Sequence, residues 1–462
     1  MQLHWKPELP KKGGPLYLSL VRKLEEDIAQ GRLAVGTRMP TQRELADELK
    51  IAIGTVTKAF TEAERRGLIY GDGRRGTFVG EIPKPRAILA SMNRTLPIGI
   101  DLSKNHPAHA FDPDLAGALR QIIRSPKIQT LLQYPPASGM PEHLQAGAAW
   151  LSTVGMKVDP ENLHITAGAQ HAINVIIATE TTPGDIIAAE EYTYPGVKAI
   201  ADMLGLELVG APMDAEGIIP EELESLCRSR GIRLLYLNPS LQNPTNIIMP
   251  TSRREKIAEL AERYNFAVVE DEILAPLMVS PPSYLWQLIP ERSYFVISSS
   301  KSVAAGLRLG FVVAPSAKRQ KLGETLQASC LSIPPLMAEI FARWMDDGTV
   351  AKVIARRREE LTSSNRLAQE ILSDLKVRIH KSGYHLWLEL PEGWSSMVFA
   401  TESQRRGVAV SPAEIFAVGR HAPVNGVRLS VGAVSDRLLL KSGLEILVGI
   451  LKGYTRQEKV TV

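Results

Sequence analysis

The chain has 462 residues, 44% hydrophobic and 23% charged, proportions of a folded globular protein of two or three domains that exclude a disordered or fibrous chain. No apolar run is long enough to cross a bilayer and the opening "MQLHWKPELPKKGG" lacks a leader's apolar stretch, so the sequence predicts a cytoplasmic protein. Cys227 and Cys330 stand far apart with no metal-ligand spacing, so no metal is expected and both read as buried, inert thiols.

The net charge of +4 is local: residues 1–80 hold 14 Lys and Arg against 10 Asp and Glu, which leaves 40 of each for the remainder. The stretch "LYLSLVRKLEEDIAQGRL" repeats Leu16, Leu20, Leu24 and Ile28 at helical spacing and stops at Gly31. In "MPTQRELADELK", Thr41 and Glu44 form the S/T-x-x-E box that opens a second helix. A third, "GTVTKAFTEAERRG", puts Val56, Phe60 and Ala63 on one face and leaves Thr55, Thr57 and Lys58 outward. "LIYGDGRRGTFVG" then reads as two short strands around a glycine turn carrying Arg74 and Arg75.

Three helices and a basic hairpin predict a winged helix-turn-helix over residues 1–80, whose partner is a double-stranded DNA operator. Arg38, Thr41, Arg43, Thr55, Thr57, Lys58, Arg74 and Arg75 are the candidate contacts. The alternative is a small helical interaction module with solvated charges. This segment resembles the N-terminal domain of GntR-type regulators, whose pattern near G-x-R-L-P-[ST]-x-R-x-L-A stands here as "GTRMPTQRELA", residues 36–46. In place of the Ser-Arg pair that the resemblance leads one to expect at the next helix start is Ala52-Ile53, which removes a phosphate or guanine contact.

Residues 81–98, "EIPKPRAILASMNRTLPI", carry three prolines without periodicity and read as a linker. Beyond them, strand-like and helical runs alternate, which predicts an α/β domain over residues 99–462 with a mostly parallel sheet and a smaller C-terminal subdomain from about 331. Ligands gather at the carboxyl ends of such strands. There the sequence places Ala169 and Gln170 at a helix start, Tyr194 beside Pro-Gly, Asn243 on a proline-flanked turn, Asp271 after "NFAVVE", and "SSSKSVAAGLRLG" with Ser298, Ser300, Lys301 and Arg308.

An aromatic face, an amide, an acid, hydroxyls, a lysine and an arginine in one seat suit pyridoxal 5'-phosphate. Lys301 would form a Schiff base as the catalytic residue and Asp271 would keep the ring nitrogen protonated. Asn243 would meet the ring hydroxyl, Tyr194 would cover a face, and Ser298, Ser300, Arg308 and the Ala169–Gln170 backbone would surround the phosphate. The stretch 99–455 resembles fold-type I aminotransferases, with large and small domains. That resemblance implies that Tyr134 in "YPPASG" reaches the neighbouring subunit's phosphate and that Arg428 in "NGVRLSVG" holds a substrate carboxylate, although such an arginine can also pair with an acid. Where related chains carry a tyrosine two or three residues after the acid, this one has Ile273 and Leu274; Asn246 replaces the glycine after "NPT", and Ala305 a common proline.

A winged helix ahead of an aminotransferase-like domain resembles the MocR subgroup of GntR-type regulators. That implies a homodimeric transcription factor whose effector is a small amine, an amino acid or pyridoxal phosphate itself. The alternative is a working aminotransferase acting on an amino acid.

Overall fold

The computed structural model describes residues 5–7, 16–65, 68–71, 76–80, 85, 86, 89, 99–419 and 425–458. The first unit comprises helices α1 (Leu16–Ala29), α2 (Gln42–Leu49) and α3 (Ile53–Arg65) with strands β1 (Ile69–Gly71) and β2 (Thr77–Val79). Leu20, Leu24, Val56, Phe60 and Ala63 meet in one apolar core, while Leu16 stays partly exposed. Trp5 joins that core and donates Nε1 to Asp27 Oδ2 at 2.8 Å. Burial opposes ionisation of Asp27, but this bond and the Arg32 guanidinium hold its carboxyl below the usual range.

The capping box forms: Glu44 N donates to Thr41 Oγ1 at 3.2 Å, and Thr41 N to Glu44 Oε2 at 2.8 Å. Lys50 ends α2 in left-handed backbone, φ 53°, and so turns the chain sharply into α3. β1 and β2 pair antiparallel, and Gly36, Thr37 and Met39 bond to the main chain of β2.

In the second unit a short strand, β3 (Ile100–Asp101), precedes a seven-stranded sheet. Its order is β4 (Leu163–Thr166), β12 (Gly310–Val313), β11 (Ser293–Ser298), β10 (Ala267–Asp271), β9 (Leu234–Leu237), β5 (Ile186–Glu190), β6 (Glu207–Ala211). Only β12 runs against its neighbours. All six residues of β11 are buried, as a strand covered on both faces requires. A hairpin of β7 (Met213–Asp214) and β8 (Gly217–Ile218) flanks it. Under one face, Trp150 packs edge-on against Phe311 and Phe341, with centroids 5.9 and 5.2 Å apart. Such pairs add about 0.5–1.5 kcal/mol each beyond burial.

A four-stranded antiparallel sheet, β13 (Val377–Arg378), β14 (Leu386–Glu389), β17 (Gly426–Leu429) and β16 (Ser411–Pro412), builds the smaller core. Ile100 and Leu102 join that core, and β3 pairs with β15 (Val408–Ala409). The helix Pro335–Asp346, which the sequence assigns to the smaller subdomain, packs Ala338, Phe341 and Trp344 with the large-sheet core instead. Cys227 is buried as expected, but Cys330 is exposed near the end of its helix, which corrects the expectation of two buried thiols. Among the described residues there is no metal-ligating cluster and no helix long and apolar enough to cross a membrane.

Candidate ligand pocket and DNA interface

The ends of β4, β5, β9, β10 and β11 lie on one side of the large sheet, and a cavity of about 540 Å³ opens there. Ala169, Gln170, Tyr194, Asn243, Asp271, Ser298, Ser300, Lys301, Arg308 and Arg428 all line it. All but Arg428 stand at a strand end of the large sheet or in the segment after one, and parallel strands bring their ends together; Arg428 lies within β17 of the smaller sheet and is expected from the aminotransferase resemblance. Tyr134 does not line it; that side chain is 85% exposed.

One end of the cavity is built to approach an anion. The helix Ala169–Glu180 begins after Gly168, φ +81°, where an added Cβ would lie 2.8 Å from Arg308 Nη2. Glycine there lets the guanidinium reach Ala167 O at 3.4 Å and Ser300 Oγ at 3.3 Å. Ser300 Oγ lies 3.0 Å from Ser298 Oγ. At Gly196 an added Cβ would fall 2.2 Å from both Gln170 Oε1 and Tyr194 Cε1, so that glycine seats the aromatic wall.

Lys301 lines the same cavity. Burial, with the Arg428 and Arg308 guanidinium groups, pushes its amine down to about 8, and Asp271 opposes them. Its Nζ donates to Asn105 O, and Tyr384 Oη donates to Lys301 O at 2.7 Å. Asp271 is 2% exposed; burial pushes its carboxyl up to about 6, against the Tyr236 phenol that donates to Oδ2 at 2.7 Å. Its Oδ1 has no partner among the described residues. Neighbouring Glu190, also buried, is pushed up to about 8 by burial.

Arg428 is fully buried and donates to Asn243 Oδ1 at 2.9 Å, Ser103 O at 2.6 Å and Ser411 Oγ at 3.4 Å, over the Phe416 ring. Among the described residues no carboxylate pairs with it. Burial lowers its ionisation to about 9, leaving the guanidinium charged at neutral pH. Asn246 takes φ 61°, the left-handed backbone of the glycine it replaces, which asparagine adopts at modest cost.

The segment 102–112 crosses the cavity as a strap whose main-chain carbonyls meet cations: Ser103 O meets Arg428, Asn105 O meets Lys301, and Ala108 O meets Arg357 Nη1 at 3.3 Å. Arg357 also donates to Asp112 Oδ1 at 2.7 Å. His385 Nε2 lies 3.0 Å from Gln242 O and Nδ1 lies 3.4 Å from Asn105 Nδ2. Burial, helped by Arg428, drops its ring to about 3, so the neutral imidazole donates from Nε2 and accepts at Nδ1. Tyr236 and Arg357 are absent from the sequence reading, whereas "SGYHLWLEL", which carries Tyr384 and His385, reads as a C-terminal-domain strand bordering the ligand pocket, with no chemical role assigned to His385. A tyrosine inside "LLYL" and an arginine mid-helix carry no local sign of the group they will meet.

On the first unit, Arg38, Arg43, Thr57 and Lys58 are exposed and Thr55 is half-buried. Thr41 caps α2, and Thr57 Oγ1 lies 2.8 Å from Gln42 Oε1, which ties the two helices of the reader. Ile53, in place of the expected arginine, begins α3 with 49% exposure. Arg74 and Arg75 lie outside the described residues.

Fold and pocket together define an aminotransferase-type domain behind a helical DNA reader. The comparisons agree: the family "Aminotransferase class I and II" matches residues 97–447 and "Bacterial regulatory proteins, gntR family" matches residues 16–79. The HTH-type transcriptional regulator YdeF of Bacillus subtilis is 31% identical over 98% of both chains. The vitamin B6 salvage pathway transcriptional repressor PtsJ of Salmonella typhimurium is 27% identical over 89% of this chain and 93% of its own. A kynurenine aminotransferase of Pyrococcus horikoshii, solved with PMP, superposes with a TM-score of 0.72 at 26% identity, covering 80% of this chain and 94% of that one. The chain belongs to the GntR-type transcriptional regulators with an aminotransferase class I and II domain, the MocR subgroup, and as such binds DNA.

Proposed function

We propose that the cavity holds pyridoxal 5'-phosphate on Lys301 and that a small amino compound, or the cofactor itself, controls operator binding by a homodimer. The observation that carries this is the pairing of a lysine amine pushed down to about 8 with an unpartnered buried Asp271 Oδ1 on one cavity wall. These residues fit the cofactor. Arg308, Ser298, Ser300 and the helix start at Ala169 and Gln170 would hold its phosphate, Tyr194 and Asn243 its ring, and Asp271 its ring nitrogen. The cofactor supplies an electrophilic aldehyde and an electron-withdrawing ring. Everything else is done by the chain.

Lys301, once covalently engaged, no longer donates a full ammonium to Asn105 O, and a carboxylate at Arg428 competes for the guanidinium that Ser103 O now holds. Both changes loosen the strap, which continues N-terminally into the linker and the reader. Leu89 of that linker lines the same cavity. Ligand and operator are thereby linked through one segment with two arrangements, a coupling of about 1–3 kcal/mol in typical systems. Exposed Tyr134, with Leu132 at 84% exposure beside it, supports a subunit contact in which Tyr134 reaches the partner's phosphate. The naming of PtsJ as a vitamin B6 salvage repressor supports a cofactor-type effector. Lys301 with Arg428, and the likeness to an aminotransferase, favour a second reading, slow transamination of an amino acid.

The test is borohydride reduction of the loaded protein followed by peptide mapping, and operator titration of wild type and Lys301→Ala with cofactor alone and with amino acids. Trapping on Lys301 is expected in wild type and complete loss in the variant, with a ligand-dependent change in DNA affinity of at least fivefold in wild type alone. No trappable adduct in wild type sinks the reading. Keto acid released faster than operator response selects the enzyme.

A further inference from the structure

Ile273 and Leu274 stand where related chains place a phenol beside the ring hydroxyl. A different phenol works at the far side of the acid. Tyr236 sits on β9, fully buried, opposite Val269 of β10, and its hydroxyl donates to Asp271 Oδ2 at 2.7 Å. Two residues on, and therefore on the same face, Asn238 Nδ2 donates to Asp271 main-chain O. Tyr236 and Asp271 both line the cavity, and Asp271 Oδ1 is left without a partner.

A carboxylate's last torsion is broad and two-fold, so a lone aspartate in a cavity samples many planes. A buried donor on one oxygen fixes that plane and leaves the other oxygen for a single partner. We propose that Tyr236 is a positioning residue for Asp271: it holds Oδ2, presents Oδ1 to the ring nitrogen of the bound cofactor, and makes the carboxylate the weaker base of that pair. This rests on the cofactor reading above. Burial raises the Asp271 carboxyl, and the Tyr236 bond opposes that rise together with the Ile273 main-chain N–H and the Lys301 charge, so the phenol contributes to biasing the shared proton toward the ring.

The experiment uses the full-length, cofactor-loaded protein with Tyr236→Phe, which removes one oxygen and keeps the ring, and Tyr294→Phe as control. Tyr294 is equally buried on β11 but donates to Glu180, away from the cavity. Three quantities are read: the borohydride-trapped adduct, cofactor retention in equilibrium dialysis, and bound-cofactor absorbance against pH. Tyr236→Phe is expected to keep the adduct, to bind cofactor about tenfold more weakly, and to move the absorbance midpoint about one unit to higher pH. The upward sign follows because a more basic carboxylate draws the proton from the ring, and a less electron-poor ring leaves the lysine-linked nitrogen protonated to higher pH. Tyr236→His restores a donor and is expected between the two.

Unchanged affinity and midpoint in Tyr236→Phe overturn the assignment while an intact adduct leaves the cofactor reading standing. Equal changes in Tyr294→Phe overturn it too, because general loosening would then account for them. A midpoint in Tyr236→His beyond that of Tyr236→Phe does the same. Absence of any adduct in wild type removes both proposals together.

Discussion

The reader and the pocket employ the same cationic side chains in opposite media. Arg38, Arg43 and Lys58 point into water, whereas Arg254 and Arg428 have no exposed surface and Lys301 faces an enclosed wall. In water a charge is screened within about 8–10 Å and acts nearly independently of its neighbours. Inside, its worth is decided by the specific groups around it, and removing one partner strands the rest. The reader is therefore a sum of contacts, and the pocket is a network.

Removing a member of the buried charge network that flanks Asp271 in the chain, and does not itself line the cavity, tests that contrast most severely. Arg254 Nη1 lies 3.1 Å from Glu270 and 3.2 Å from Glu272, all three fully buried, with Ser240 Oγ at 2.9 Å from Nη2. Burial pushes both carboxyls up, Glu272 to about 8, and Arg254 is the cation that opposes this. Arg254→Met strands two carboxyl groups directly beside Asp271. A loss on the order of 3–5 kcal/mol is expected in the urea transition of the aminotransferase-like domain, with the reader's own transition unmoved. A loss below about 1 kcal/mol would mean that the acids simply protonate and that the interior tolerates them.

A second separation comes from pH. The Lys301 amine lies near 8 in the fold against 10.5 unfolded, so the unfolded chain binds more protons between those values. This group therefore adds stability as pH rises through that window and costs stability below it. The nucleophile is the free amine, so cofactor capture by the cofactor-free protein is expected to quicken about tenfold per pH unit up to about 8 and then to level off. Stopped-flow absorbance from pH 6 to 9.5 reads this directly. A rise that continues to pH 9.5 would place the amine in ordinary surroundings.

The same contrast explains what could be read from the sequence. Thr41 and Glu44 are three residues apart, and their mutual bonds need only a helix start, so the box was legible. Asp271, Asn243, Ser298 and Lys301 were legible for a different reason: each follows a recognisable strand, and sheet geometry supplies the rest. Tyr236 and Asp271 are joined only by the β9–β10 register, and Arg357 meets Ala108 across 249 positions. Neither leaves a periodic or local trace. Cys330 failed because a cysteine's usual burial says nothing about a particular helix end.

The smallest effects belong to the reader, and salt is the probe that isolates them. Operator binding is expected to fall steeply with added salt, because counterions return to phosphates, while cofactor affinity changes less than twofold over the same range. Lys58→Ala removes one exposed cation from α3 and is expected to lower the log–log salt slope by about one without altering the response to ligand. Thr41→Ala removes the hydroxyl that accepts from Glu44 N, keeps the main-chain N–H of residue 41 that donates to Glu44 Oε2, and is expected to cost the reader about 1 kcal/mol. That loss should be nearly independent of salt, since a cap acts over one hydrogen bond and not over a Debye length. Fluorescence anisotropy with a labelled operator at 50 to 200 mM salt, beside urea unfolding at the same concentrations, separates the two. If Lys58→Ala also shifted the ligand response, the reader's charges would have to be coupled to the strap, and the picture of a surface sum joined to an interior network would give way to a single network.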